Sequence, residues 1–126
     1  MLMKRRPTAA ELEILQVLWS RGPSTVRDVH EQLNAEKPTG YTTVLKLMQI
    51  MAEKDLVRRD EKQKAHIYSA RIAREQTQTQ LVRDMVDKLF GGSASSLVMN
   101  ALSSRKASPE ELAEIRRTLD EMEGNR

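Results

Sequence analysis

Along the first 70 residues the hydrophobic period changes in one place, and that change restricts the fold more than any other feature. From Thr8 to Lys54 apolar residues recur at helical spacing; beyond Leu56 they lie in short runs of strand character. A first helix is expected from about Thr8 to Ser20. Thr8 stands three residues before Glu11, a capping-box spacing, and Leu12, Leu15, Leu18 and Trp19 form the core face. Gly22-Pro23 ends it. Ser24 reads as the cap of a second helix that runs to about Asn34 on a stripe of Val26, Val29 and Leu33. Ala35 to Gly40 contains Pro38 and Gly40 and reads as a turn. A third helix follows from about Tyr41 to Lys54. Then Leu56 to Arg59 and Ala65 to Ser69 read as two short strands around the polar turn Asp60 to Lys64, a hairpin. Helix, helix, helix, hairpin is the order of a winged helix-turn-helix domain, expected over residues 1–70.

Residues 71–126 keep the helical period throughout. A polar opening from Glu75 to Gln80 leads into Leu81, Val82, Met85, Val86, Leu89 and Phe90, stopped by Gly91-Gly92. A short helix from Ser93 to Leu102 carries Leu97, Val98, Met99 and Leu102. After a polar loop, Ser108-Pro109-Glu110-Glu111 is a start signal with cap, proline and capping-box glutamate in place. Leu112, Ile115, Leu119 and Met122 then recur at spacings of three and four. A three-helix unit this small has a marginal core, and it carries more apolar stripes than three helices hide. Pairing with a second copy would bury them; packing back on the winged domain in a monomer is the alternative. The expected fold is therefore mostly α with a small β-hairpin wing, joined to a three-helix C-terminal dimerisation domain.

Charge narrows the function. The chain of 126 residues has a net charge of +3. Residues 1–70 hold 12 basic and 9 acidic side chains, and residues 71–126 hold 9 of each, so the whole excess lies in the first part. That suits a polyanion-facing module joined to a neutral one. No apolar run approaches the roughly 20 residues that span a bilayer. Lys4, Arg5 and Arg6 are followed by no signal-peptide apolar stretch, so a cytoplasmic protein without membrane insertion is expected. There is no cysteine, which excludes disulfides, thiolate zinc sites and thiol redox sensing. No metalloprotease, nucleophile-elbow or phosphate-loop motif is present. His30 and His66 have no partner at metal-ligand spacing; His30 reads as an exposed helix residue and His66 as a solvated strand residue. Neither catalysis nor a cofactor is expected.

The third helix carries the functional signal. With Val44 at zero on a wheel of about 100° per residue, Leu47, Met48 and Met51 share its side. Thr42, Lys46, Gln49 and Glu53 lie opposite, flanked by Thr43, Leu45 and Ile50. Such a helix fits the major groove, where base edges present distinct donor and acceptor patterns. Its N-terminal part, from Tyr41 on, is what reaches the bases in helix-turn-helix proteins. Thr42, Thr43, Lys46 and Gln49 supply polar groups, and Leu45 supplies apolar atoms for thymine methyls. Lys62 and Lys64 at the wing tip, with Arg58, are candidates for phosphates. So are the backbone amides of Ser24 and Thr25 at a helix start, with Arg5 and Arg6 as an electrostatic arm. Two other readings fit the same order: a ligand-sensing winged-helix regulator, and a winged-helix protein-interaction module that binds no DNA.

Tyr41-Thr42-Thr43-Val44-Leu45, Glu53-Lys54-Asp55-Leu56-Val57-Arg58-Arg59 and Ala65-His66-Ile67-Tyr68-Ser69 resemble the signature of the penicillinase-repressor family. Leu12 to Trp19 is similar to that family's first helix. Phe90-Gly91-Gly92, Ser96-Leu97-Val98-Met99-Asn100 and Ser108-Pro109-Glu110-Glu111-Leu112 are similar to its C-terminal domain. The resemblance implies a homodimeric winged-helix repressor that binds inverted repeats in promoters, of β-lactamase or other antibiotic-resistance genes and of its own operon. It implies a third helix in the major groove and intertwined C-terminal helices. The dimer core would draw on Val82, Met85, Val86, Leu89, Phe90, Leu97, Val98, Leu102, Leu112, Ile115, Leu119 and Met122. It also implies relief of repression by a membrane sensor protease that leads to cleavage after an asparagine, here Asn100–Ala101, with Ala101 in place of a bulkier aromatic residue found in some members. Asp55 stands where the family usually has glycine, and Ile50 where many members have arginine. The cysteine cluster of the copper-responsive branch is missing.

Overall fold

The computed structural model describes residues 6–124; Arg5 of the expected electrostatic arm lies outside them. Described are six helices and one two-stranded sheet: α1 (Ala9–Arg21), α2 (Val26–Glu36), α3 (Tyr41–Glu53), β1 (Val57–Asp60), β2 (Ile67–Ala70), α4 (Arg74–Leu89), α5 (Ala94–Ser104) and α6 (Pro109–Gly124). The mostly helical architecture with a hairpin wing is the one the hydrophobic period predicts. The chain divides into two compact units, Met1–Gln78 and Thr79–Arg126.

In the first unit, α1 is the central element, in contact with α2, α3 and β2. Its buried stripe is correspondingly wider than the wheel predicts. Ile14, Leu15, Val17 and Leu18 are buried, while Leu12 and Trp19 only flank the core. Val26 and Val29 from α2, Val44, Met48 and Met51 from α3, and Leu56, Val57 and Tyr68 complete it. The capping box of α1 forms as its spacing predicts: Thr8 Oγ1 accepts from the Glu11 amide, and Glu11 Oε1 accepts from the Thr8 amide at 2.9 Å. Glu11 is also buried, and the same oxygen accepts from Lys54 Nζ at 2.7 Å. That ion pair ties the start of α1 to the end of α3.

The cap of α2 is Thr25 rather than Ser24, in a capping box with Asp28. Ser24 is buried and forms a bridge to the wing: its N–H donates to the Tyr68 carbonyl, and the Tyr68 N–H donates back to its own. Beyond α3, Asp55 has φ 63°, the only positive value among described residues other than glycine. Its N–H donates to the Ala52 carbonyl and that of Leu56 to Met51, the paired bonds of a Schellman end with aspartate at the left-handed position. The sheet is antiparallel, with Val57 opposite Ala70 and Asp60 opposite Ile67. Trp19 Nε1 donates to the Ile72 carbonyl at 2.9 Å, and the Arg74 guanidinium lies 5.9 Å from the Trp19 ring centre, so the start of α4 is fastened to α1.

The second unit has capped helices, but none of its described residues is buried. Ser93 caps α5, and Ser108 with Glu111 forms the capping box before α6. Gly91 and Gly92 have positive φ after α4, a conformation that a Cβ disfavours. Not one residue of α5 or α6 is buried.

Candidate nucleic-acid interface

The third helix meets both conditions for a base-reading element. Val44, Met48 and Met51 are fully buried and fix its inner side. Tyr41, Thr42, Thr43, Lys46 and Gln49 are exposed on it, and Leu45 is half-buried. Five of its six sequence-predicted contacts thus stand in solvent on a helix whose rotation is set by core packing.

The start of α3 differs from the other helix starts. Gly40 is its N-cap and makes no side-chain cap bond, and no acidic residue lies in the first turn. The amides of that turn and the positive end of the helix dipole are left uncancelled by protein. At α2 the opposite holds. The Thr25 amide donates to Asp28 at 3.1 Å and the Ser24 amide to Tyr68 at 2.9 Å. The amides expected to hold a phosphate there are engaged, and that expectation is corrected. The Thr25 backbone N–H holds the Asp28 carboxyl below its ordinary value against the opposing push of burial, with the Thr25 hydroxyl, Arg21 and Arg27 adding to the effect. A charged carboxylate therefore already sits on that helix end.

In the wing, Arg58, Lys62, Lys64 and His66 are exposed. Asp60 Oδ1 accepts from the Lys62 amide at 3.0 Å and shapes the tip. His66 precedes β2 and belongs to the wing loop, not to a strand as expected. Arg59 is held by Glu61 at 2.7 Å. The hydrogen bond with Tyr68, then the charge of Glu61, raises its already high pKa further. Arg58, its neighbour on the opposite side of the strand, is the better phosphate candidate.

Four residues were not among the expected site residues. Arg27 is exposed in the first turn of α2. His30, expected to be exposed, is half-buried, with Nε2 2.7 Å from the Thr39 carbonyl and its ring edge-on to Tyr41. Asn34 accepts from the Thr39 amide. The spacing of His30 and Asn34, four apart on one helix, was the available signal. Met99, 62% exposed on α5, belongs with the apolar residues of the second unit. There, Val82, Met85, Leu89, Val98, Leu102, Leu119 and Met122 are exposed, while Val86, Phe90, Leu97, Leu112 and Ile115 are half-buried. Asn100 and Ala101 are exposed on α5.

Comparison with known proteins agrees with this anatomy. The family model described as "Penicillinase repressor" matches residues 7–121. The chain is 36% identical over 122 residues to the transcriptional regulator BlaI of Mycobacterium tuberculosis, covering 92% of this chain and 86% of that one. It is 20% identical over 113 residues to the penicillinase repressor of Staphylococcus aureus, covering 90% of each. The methicillin resistance regulatory protein MecI of Staphylococcus aureus is likewise 20% identical over 113 residues, 90% of this chain and 92% of its own.

Proposed function

The chain belongs to the penicillinase repressor family, whose members are transcriptional regulators rather than enzymes, and from that premise we propose that it represses antibiotic-resistance genes as a homodimer. The operator is an inverted repeat in double-stranded DNA, upstream of a β-lactamase or related gene and of its own operon. The observation that carries this reading is the third helix: packed on one side, polar on the other, and neither capped nor acidic at its start. Lys46 and Gln49 read base edges, with Thr42 and Thr43 beside them and Leu45 against thymine methyls. Arg58, Lys62 and Lys64 hold the backbone, and Tyr41, at the start of the helix, reaches toward the bases. Residues 1–70 form the DNA-binding module, and the helices from 71 onward form the dimer.

Dimerisation is supported by the apolar residues that a single copy of the second unit leaves in water. Each half-site is then held by one module, and the linked pair gains the avidity that either lacks. Relief by cleavage at Asn100–Ala101 is supported by the exposure of that bond on a helix with no buried residue, where local opening is cheap. A cut there severs α6, with Leu112, Ile115, Leu119 and Met122, from α4. A sensor protease in the membrane is the partner this requires. The repressor itself works in the cytoplasm, and no helix among the described residues is long and apolar enough to cross a membrane.

Titration against promoter DNA over a range of salt tests the proposal. A dimer with six to ten phosphate contacts loses roughly 10³–10⁵ in affinity between 50 and 200 mM salt. Salt-insensitive binding, or none, would return the winged unit to a protein-interaction role. Intact-mass analysis of the repressor from β-lactam-induced cells tests relief: only full-length chain during derepression would refute cleavage and favour a ligand-sensing regulator.

A further inference from the structure

The turn that launches α3 is gripped from the preceding helix. His30 and Asn34 stand four residues apart on α2 and so share one face of it. Asn34 Oδ1 accepts from the Thr39 N–H at 2.9 Å. His30 Nε2 lies 2.7 Å from the Thr39 carbonyl oxygen. A carbonyl only accepts, so Nε2 carries the proton and donates. The Thr39 hydroxyl is engaged as well, donating to the Lys37 carbonyl at 2.7 Å. Both ends of one residue's backbone are thus held by two side chains of one helix. The His30 ring then reaches one step further, meeting the Tyr41 ring edge-on with centroids 5.5 Å apart and planes at 77°, a favourable aromatic geometry. Tyr41 is the first residue of α3.

The caps explain why such a grip is useful. In α1, α2 and α6 the first turn is fixed by a hydroxyl and a carboxylate, Thr8 with Glu11, Thr25 with Asp28 and Ser108 with Glu111. The same device on α3 would occupy its first amides and set a carboxylate beside the phosphates of bound DNA. We propose that His30 and Asn34 are positioning residues for operator recognition, a clamp on Thr39 that aims the first turn of α3 and the Tyr41 side chain without touching DNA. This rests on the DNA-binding reading above. Base contacts tolerate errors of only about 0.5 Å in the supporting shell, whereas contacts to phosphate are shared by every sequence. Loss of the clamp therefore lowers specificity before it lowers general affinity.

The test uses the full-length protein and two probes: a duplex enriched by the wild-type repressor from a random-sequence pool, and the unselected pool itself. His30→Ala and Asn34→Ala each lower affinity for the selected duplex about tenfold, the size of one lost base contact. Affinity for the unselected pool falls less than about twofold, because the phosphate contacts remain. His30→Gln, whose amide N–H donates to the Thr39 carbonyl, recovers most of the specific binding. Wild-type affinity in both alanine variants overturns the clamp, and so does an equal fall on both probes. If the wild-type protein enriches no sequence, the DNA-binding reading fails instead, and the clamp is judged in the free protein. There, faster Thr39 amide exchange in Asn34→Ala and shifted Tyr41 ring resonances in His30→Ala support it; unchanged exchange and resonances overturn it.

Discussion

The two units of this repressor carry similar apolar stripes and use them differently. In the winged unit 12 hydrophobic residues are buried, and they interlock across three helices and the hairpin. In the second unit none of the described ones is, and eight of the nine large hydrophobics exposed among the described residues lie there, from Val82 to Met122. Both sets recur at helical spacing, so periodicity identifies the face that avoids water without saying what covers it. Closure decides the matter. Helix α1 has neighbours on several sides, whereas no residue of α5 or α6 is buried within one chain. The winged unit buries its apolar faces within a single chain, and the second unit leaves its own in water, where the proposed dimer would cover them.

The largest effect that can break this contrast comes from one substitution in each unit. Ile14→Ala removes a fully buried side chain and should cost about 2–5 kcal/mol. That loss should not depend on protein concentration, because the core is intramolecular. Leu119 is 56% exposed in one chain. Leu119→Asp should therefore leave the winged unit's unfolding unchanged while abolishing the dimer, since an unpaired charge in an apolar contact is costly. Wild-type melting should rise with concentration, as for any folded state stabilised by association, and the variant's should not. Sedimentation at micromolar concentration gives the direct readout. A monomeric wild-type chain that melts cooperatively in both units would remove the contrast altogether.

Next in size is a comparison of two capping boxes. Glu11 is buried and bonds both the Thr8 amide and Lys54 Nζ; Glu111 bonds the Ser108 amide in the open. Glu11→Ala should cost about 3 kcal/mol, because it strands a partly buried lysine and an amide at once. Glu111→Ala should cost under about 1 kcal/mol. Denaturant unfolding of both variants measures the gap, and equal losses would show that burial of Glu11 adds nothing.

These boxes also show how far the sequence is legible. The spacing of Thr8 and Glu11 predicted the bonds, but nothing local predicted that Lys54, 43 residues on, would arrive at the same oxygen. Ser24 and Thr25 are both acceptable caps, and what separated them is the bridge from Ser24 to Tyr68, a contact set by the hairpin. The polar face of α3 was readable because Val44, Met48 and Met51 keep strict helical spacing. His30 was misread because its partners, Thr39 and Tyr41, lie beyond a turn. Local pattern fixes which residues start and line an element. Contacts across a turn or between elements stay hidden until the elements meet.

Within the winged unit, the proposed base reading and the proposed phosphate attachment can be told apart at a smaller scale. Lys46 lies mid-face on α3 and Lys64 in the wing loop, both exposed. Lys46→Ala should weaken operator binding by about 1–3 kcal/mol and spare random duplex. Lys64→Ala should weaken both alike and flatten the salt slope by about one unit. Titrations against the two duplexes at several salt concentrations resolve these outcomes. Equal, small effects from both would remove α3 from its role as reader.

The smallest effect concerns Asp55, where the winged unit retains strain that has no bearing on assembly. Its φ of 63° is disfavoured for a residue with a Cβ, by roughly 1–2 kcal/mol in general and less for aspartate, whose short polar side chain tolerates the conformation. Its carboxylate also meets Arg71 at 3.3 Å, with both side chains more than 40% exposed, a pair worth no more than about 1 kcal/mol. Glycine at this position removes the Cβ cost and gives up the pair, and it adds freedom to the unfolded chain. The conformational gain should prevail narrowly, so Asp55→Gly should raise stability by about 0.5 kcal/mol. Asp55→Ala keeps a Cβ and loses both the ion pair and the local tolerance, and should lower stability by about 1 kcal/mol. The opposite signs are the test, read as denaturant midpoints. If both variants fall together, Arg71 holds the turn and the left-handed backbone is incidental. In either case the concentration dependence of melting should match the wild type, because this turn lies in the unit that a single chain completes.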